Sequence, residues 1–407
     1  MPLAKSIPYK YILFVILILL ADFVVENINH KFQQNDFKVY YEAAKALTGG
    51  QPVYGVAFSL GSGYFKYSPF TAMLFYPLTL LPYYVAGIIE FIFTSVAIIL
   101  TSITIANLLS TYVFKRESKY PNLILFLSFL CIITHMVREL ELGNVNVLIL
   151  FLLCLSLRFI LQKKMAWAGL FIAIVIITKP FFVLVLIPLL MRRYFKTLFT
   201  TAISLVLFLI LPALFLGIEK DLSLHREWLN AMLIHANAFP SPNTIDAVIR
   251  NNINSPLTAS LQYIIMLFLL VPYVLFVRAN IKNGVKNKDE NSVGFVMEWF
   301  TLLAIIPSIF KTDTEHFLMT LPVIVFILIH LFSHRNTTLT ITFILLIILY
   351  AGNSSDLLGK ELSIKAYNLG ILGISNVLLT GMGLYIFIGN ILKESRQAKN
   401  SLSGRPS

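Results

Sequence analysis

The chain has 407 residues, of which 57% are hydrophobic and only 13% charged, about half the charged share of an average soluble domain. So few charges cannot cover the two or three soluble domains that this length would make, which excludes a soluble enzyme, a secreted disulfide scaffold and a nucleic-acid-binding domain. The net charge of +12 therefore bears on membrane sidedness through its distribution, and nucleic acid is not called for as a partner. Cys131 and Cys154 both fall inside apolar runs without a CxxC spacing, and they support neither a disulfide nor a zinc framework.

A bilayer is crossed by about 20 apolar residues in a helix. Long apolar runs separated by short polar clusters predict an all-α integral membrane protein with about 12 spans. In chain order they fall at 10–27, 83–110, 121–137, 144–162, 165–178, 180–191, 196–216, 256–277, 295–309, 317–333, 337–352 and 368–392. They form a single transmembrane domain over 1–392, and the basic tail 393–407, with its Ser, Gly and Pro, reads as disordered and cytoplasmic. The first run follows Lys5 and Lys10 as a signal peptide would, but residues 21–26 lack a small-x-small cleavage pattern, so an uncleaved anchor is expected. With both termini cytoplasmic, most of the 32 Lys and Arg collect in short inner segments, while Asp and Glu concentrate outside. That is the asymmetry of the positive-inside rule. It depends on a break at Lys179-Pro180, because one long helix over 165–191 would invert everything downstream.

The longer loops, 28–82 and 217–255, both fall outside, so function is expected on the outer face. In the first of them Tyr40, Ala43, Ala44 and Leu47 recur at helical spacing, which predicts a short amphipathic helix on the membrane surface. Asp36 stands just before it, placed either to cap the helix or to do chemistry. After Gly50-Gln51-Pro52-Val53-Tyr54 and Phe65-Lys66-Tyr67-Ser68-Pro69-Phe70, the apolar run 69–82 is too short to span and reads as a second interfacial helix.

Four further polar clusters share that face: Arg138, Glu139 and Glu141 before Gly143-Asn144-Val145-Asn146; Lys179-Pro180; Arg250 through Asn254, Ser255 and Pro256; and Lys311 through Asp313, Glu315 and His316. Each alone is consistent with a solvated loop or a snorkelling anchor. Together, with acid and base alternating on one side, they predict a shared polar cavity. No HExxH, P-loop, GxSxG elbow or strand-borne GxGxxG occurs. The outer histidines show no i, i+4 pair, so no metal and no cofactor is called for.

The order of these elements resembles glycosyltransferase family 87. The resemblance rests on Asp36 with Tyr40 and Ala43-Ala44, Gly50-Gln51-Pro52-Val53-Tyr54, Tyr67-Ser68-Pro69, Tyr76-Pro77-Leu78, Leu81-Pro82, Gly143-Asn144-Val145-Asn146, Ala168-Gly169-Leu170 with Lys179, Asn254-Ser255 and Glu315-His316. The chain differs in having Asn144 where that signature is similar to Gly-Gln-x-Asn, Pro256 after the Asn-Ser element, and an acidic stretch around His316. The resemblance implies a GT-C type helical bundle with interfacial helices in the outer loops. It implies transfer of mannose from a polyprenyl-phosphate donor to a glycan or glycolipid acceptor, by inverting displacement at the outer face of the bilayer. Under it Asp36 is the expected base, and Lys179, Arg250 and Arg138 are the expected phosphate ligands in that order. His316 would bind or orient sugar or phosphate, and Asn144, Asn146, Asn254, Tyr67 and Glu315 complete the expected substrate-binding set. A transporter or flippase of a lipid-linked glycan would use the same cavity, but it should show repeated halves and polar groups at mid-membrane from both sides. A structural subunit of an envelope-building complex would tolerate loss of Asp36.

Overall fold

The computed structural model describes residues 8–60, 63–238, 241–245, 247–249, 259–284, 288–310 and 312–403. The protein is 81% helix, with no strand among the described residues and one antiparallel bridge between Ala57 and Tyr64. The helices are α1 (Tyr9–Ile28), α2 (Asn35–Thr48), α3 (Pro69–Thr79), α4 (Tyr83–Leu108), α5 (Pro121–Cys131), α6 (Ile133–Leu142), α7 (Asn146–Leu161) and α8 (Met165–Thr178). A 3-10 turn at Pro180–Val185 leads into α9 (Leu186–Met191), α10 (Phe195–Ile210), α11 (Ala213–Leu216), α12 (Ile218–Ala238), α13 (Ala259–Gly284) and α14 (Lys288–Ile309). A second 3-10 turn, Thr314–Thr320, opens α15 (Leu321–Ser333), followed by α16 (Thr337–Ala351), α17 (Ser355–Leu358), α18 (Lys360–Asn368) and α19 (Ile371–Ser403). The last helix thus continues into the tail that composition reads as disordered.

Six helices are long and apolar enough to cross a membrane among the described residues, or seven if a bent pair counts as one span. The count of about 12 therefore leans on α7, α8, the 180–191 segment and α16. At 1.5 Å per residue these are shorter than the roughly 30 Å of a hydrocarbon core. The expected span 256–277 corresponds to α13, and its first residues lie outside the described ones.

One predicted span is bent. The run 121–137 is not a single helix, because the chain turns by 65° between α5 and α6 where Ile132 leaves helical geometry at φ −121°, ψ 13°. The α6 helix then closes on Gly143 at φ 62°. The amides of Gly143 and Asn144 reach back to the carbonyls of Leu140 and Glu139, a Schellman ending that glycine permits. The α7 helix therefore starts on a fresh axis, with Asn144 and Asn146 at its head.

The interior is built on α15, buried continuously from Leu321 to His330, and on Trp299 and Phe300 of α14. The α7 and α8 helices form an antiparallel hairpin, so Asn146 and Thr178 lie at the same end. The α8 helix approaches α10 closely at Gly169, where a Cβ would fall 2.7 Å from Thr200 Cβ and 2.8 Å from the Thr197 carbonyl oxygen. By contrast α1 buries only Tyr11, Val15 and Leu19, a single stripe.

Candidate active site

The α2 helix begins two residues earlier than a cap at Asp36 would require. Gln34, in the left-handed region at φ 42°, supplies the first helical carbonyl, accepting from the Lys38 amide at 2.9 Å. Asp36 therefore falls inside the first turn and makes no capping bond, which corrects the capping reading. The Tyr40, Ala43, Ala44 and Leu47 stripe is buried within the protein. The α3 helix is capped by Ser68, whose Oγ accepts the Thr71 amide at 3.2 Å, with Pro69 at the first helical position, where its missing N–H costs nothing.

Freed from capping, the Asp36 carboxylate faces the head of α7. Its Oδ2 accepts from Asn144 Nδ2 at 2.6 Å. Its Oδ1 has no hydrogen-bond partner among the described residues, and Asp36 is only half-buried. Burial pushes this carboxyl above its ordinary range, and Asp313 adds to the rise. Lys66, Lys179 and Arg138 pull the other way, Lys66 most strongly.

Asn144 is the hub. Its amide nitrogen also points to Glu315 Oε1 at 3.5 Å. Its oxygen lies 3.2 Å from the Tyr40 hydroxyl and 3.5 Å from Lys179 Nζ, and it accepts the Val145 amide at 2.8 Å. Donors thus face two carboxylates and the acceptor faces a cation, the arrangement in which every contact is favourable.

Lys179 is buried just after α8, where Pro180 prevents the helix from continuing. The break lies where the sequence places it. The ammonium donates to Asn146 Oδ1 and lies 2.9 Å from His316 Nε2, which leaves that nitrogen as acceptor and the imidazole proton on Nδ1. Asn146 in turn donates to Glu139 Oε2 at 2.8 Å, while Glu139 Oε1 accepts the Val147 amide at 2.9 Å. Glu139 therefore ties the first turn of α7 to α6. Arg138, with its side chain 53% exposed, gives Nε to Glu315 Oε2 at 3.3 Å. Tyr67 packs edge-on against Tyr40, with the hydroxyls 2.9 Å apart, and its ring lies 5.9 Å from Lys179 Nζ.

Eight of the expected residues meet in one cluster: Asp36, Tyr67, Arg138, Asn144, Asn146, Lys179, Glu315 and His316. Arg250 and Asn254 lie outside the described residues. The sequence analysis names Glu139 in a polar cluster without giving it a role, and it does not place Lys66, Gln34 and Glu90 at the site. The last two form a buried pair, Gln34 Nε2 donating to Glu90 Oε2 at 2.8 Å, which anchors the start of α2 to α4. A carboxyl within an apolar span was the available signal for Glu90. Lys66 had none, being one basic residue of an aromatic loop. Among the described residues no group of three His, Cys, Asp or Glu could hold a metal ion.

Residues 65–304 match the sequence model of glycosyltransferase family 87. The chain belongs to this family. Among curated proteins none matches it significantly. Membership in family 87 makes the protein a membrane glycosyltransferase, with a sugar donor and an acceptor as its substrates. The matched range includes Tyr67, Arg138, Asn144, Asn146 and Lys179, whereas Asp36, Glu315 and His316 lie beyond its ends and join the cluster through the contacts just described.

Proposed function

We propose that this family 87 enzyme moves a sugar, mannose by the resemblance, from a polyprenyl-phosphate donor to a glycan or glycolipid acceptor on the outer face of the membrane. One observation carries the reading: Asp36 is held through Oδ2 while Oδ1 remains open, and three cations surround it. A general base needs this combination of a fixed orientation and a vacant lone pair. In the reaction the acceptor hydroxyl oxygen attacks the anomeric carbon and its proton passes to Asp36 Oδ1. The bond from that carbon to the phosphate oxygen breaks, and lipid monophosphate leaves. Attack opposite the leaving group inverts the anomeric centre, as a single carboxylate base does in inverting glycosidases.

Sidedness supports a lipid donor. The Lys and Arg distribution supports an outer position for the Asp36 end of the bundle, where cytoplasmic nucleotide sugars do not reach and a polyprenyl chain would carry its sugar across. The departing phosphate needs nearby positive charge more than a proton, and the cluster supplies it. Asparagine at position 36 keeps the shape and can still accept from Asn144, but it cannot take a proton. Purified Asp36→Asn with wild-type thermal stability and donor binding should transfer sugar about 10²–10⁴-fold more slowly. Transfer within a few-fold of wild type would remove Asp36 from the role.

A further inference from the structure

The α4 helix carries a buried carboxylate that the chemistry proposed above does not use. Glu90 lies in the candidate span Tyr83–Val113 and is buried. An ionisable group at membrane depth is expensive and is kept where it has a partner and a task. Both oxygens of Glu90 are engaged. Its Oε1 accepts from the Thr94 hydroxyl at 2.7 Å, and its Oε2 accepts from Gln34 Nε2 at 2.8 Å.

The Gln34 side chain reaches Glu90 because α4 leaves room for it. A Cβ on Gly87, one turn before Glu90, would fall 2.6 Å from Gln34 Oε1. Nearer the head of the same helix the Tyr83 hydroxyl donates to the carbonyls of Gln33 and Gln34, and the Tyr83 ring stacks on Phe37 at 5.8 Å. Tyr83, Gly87 and Glu90 stand at i, i+4 and i+7, which is one face of a helix. That face grips Gln34 at its carbonyl, its amide oxygen and its amide nitrogen.

Gln34 gives α2 its first carbonyl from a left-handed backbone, a conformation disfavoured for a residue with a Cβ. The direction in which the chain leaves Gln34 sets where Asp36, two residues on, puts its carboxylate. Glu90 Oε2 also lies 3.3 Å from where a Cβ on Gly143 would stand, so the same oxygen borders the turn that presents Asn144. Base and base-orienting amide therefore share one support.

We propose that Glu90 is a positioning residue for the base: through Gln34 it fixes the start of α2, and thereby the line of approach from Asp36 Oδ1 to the acceptor hydroxyl. This rests on the reading of Asp36 as base given above. Glu90 takes no proton from substrate; its work is done by the hydrogen bond it accepts.

The test uses the purified full chain in nanodiscs, with undecaprenyl-phosphate mannose as donor and octyl α-mannoside or water as acceptor. Binding of undecaprenyl monophosphate is measured alongside. Glu90→Leu should slow transfer on the order of 10–100-fold and leave phosphate binding unchanged. Glu90→Gln, whose amide oxygen can still accept from Gln34, should keep most of the rate. Gly87→Ala favours the helix but drives its methyl into Gln34 Oε1. It should slow transfer at undiminished thermal stability, and it decides the matter if Glu90→Leu does not fold. In the Asp36→Asn background Glu90→Leu should change residual transfer by no more than a few-fold, because residues that act as one unit do not add. An equal loss in both backgrounds, wild-type transfer by Gly87→Ala, or Glu90→Gln as slow as Glu90→Leu would each overturn the role of Glu90 and leave Asp36 standing. Asp36→Asn as fast as wild type would instead sink the base, and with it any residue that positions it. A wild type that leaves this donor intact would overturn the mannosyl-lipid reading and the role of Glu90 together.

Discussion

Two regions of the molecule bury charge, at opposite ends of the 180–191 segment, and they do so in opposite ways. At one end Arg192 and Glu298 close on each other in a two-pronged pair, Nε to Oε2 at 2.7 Å and Nη2 to Oε1 at 2.6 Å, both side chains almost fully buried. The Tyr273 hydroxyl donates to the Glu298 carbonyl at 3.2 Å, and the Arg192 guanidinium lies 5.4 Å from the Phe295 ring. Opposite charges meet directly, with two hydrogen bonds to one carboxylate. At the other end Asp36, Glu139 and Lys179 are joined through the neutral amides of Asn144 and Asn146, with only Arg138 and Glu315 paired directly, and Asp36 keeps an oxygen in reserve. A closed pair can only hold helices together. An open network, with neutral groups between its charges, can admit a substrate and move a proton.

The sharpest way to break this comparison is to remove one charge from each end. Asp36→Asn should abolish transfer by about 10²–10⁴-fold with little change in melting temperature, because asparagine is nearly isosteric and the position is half-exposed. Glu298→Leu should do the reverse. It removes the two-pronged partner of a buried guanidinium, which costs about 3–5 kcal/mol and should appear as a lowered unfolding midpoint with normal turnover per folded molecule. Replacing both, Arg192→Met with Glu298→Leu, should recover most of that stability. A double variant as unstable as Glu298→Leu alone would mean that the pair does more than neutralise itself.

A smaller effect should come from the hub. Asn144→Leu removes the donor to Asp36 and one acceptor of Lys179, each bond to a charged group being worth about 1.5–3 kcal/mol. Turnover should fall by about 10–100-fold, and more than donor affinity does, because the base loses its orientation while the cations stay. A loss confined to donor affinity would recast Asn144 as a simple substrate contact. The mildest test is pH. Burial raises the Asp36 carboxyl, and only its ionised form accepts a proton, so activity should fail on acidification at a pH above the ordinary carboxylate value of about 4. An acid limb at or below that value in kcat/KM would mean that Asp36 is not the titrating base.

The sequence made the membrane class, the helix break at Lys179-Pro180 and the grouping of Asp36, Asn144, Lys179 and His316 legible, because apolar runs mark membrane helices and the polar clusters between them stand out. It did not reveal which residues touch. The bend at Ile132 has no proline or glycine beside it to mark it, the run's Pro121 standing at its start, yet that bend places Glu139 against Asn146. The start of α2 was misplaced because Asn35 and Asp36 are both good caps, whereas a glutamine with positive φ is an uncommon one. Gln34 holds that conformation through a partner 56 residues away on α4, a long-range bond that overrides local preference.

Gly143 sits between the two halves of the proposed chemistry. Its backbone is left-handed, and a Cβ there would stand 2.7 Å from Phe37 Cβ and 3.1 Å from Gln34 Cβ, on either side of Asp36. The missing side chain is thus a spacer of zero thickness between the helix that carries the carboxylate and the turn that presents its amide partner. Misplacement of reacting groups by about 1 Å can cost roughly 10²-fold in rate. The calibration of this enzyme therefore resides partly in an atom it lacks.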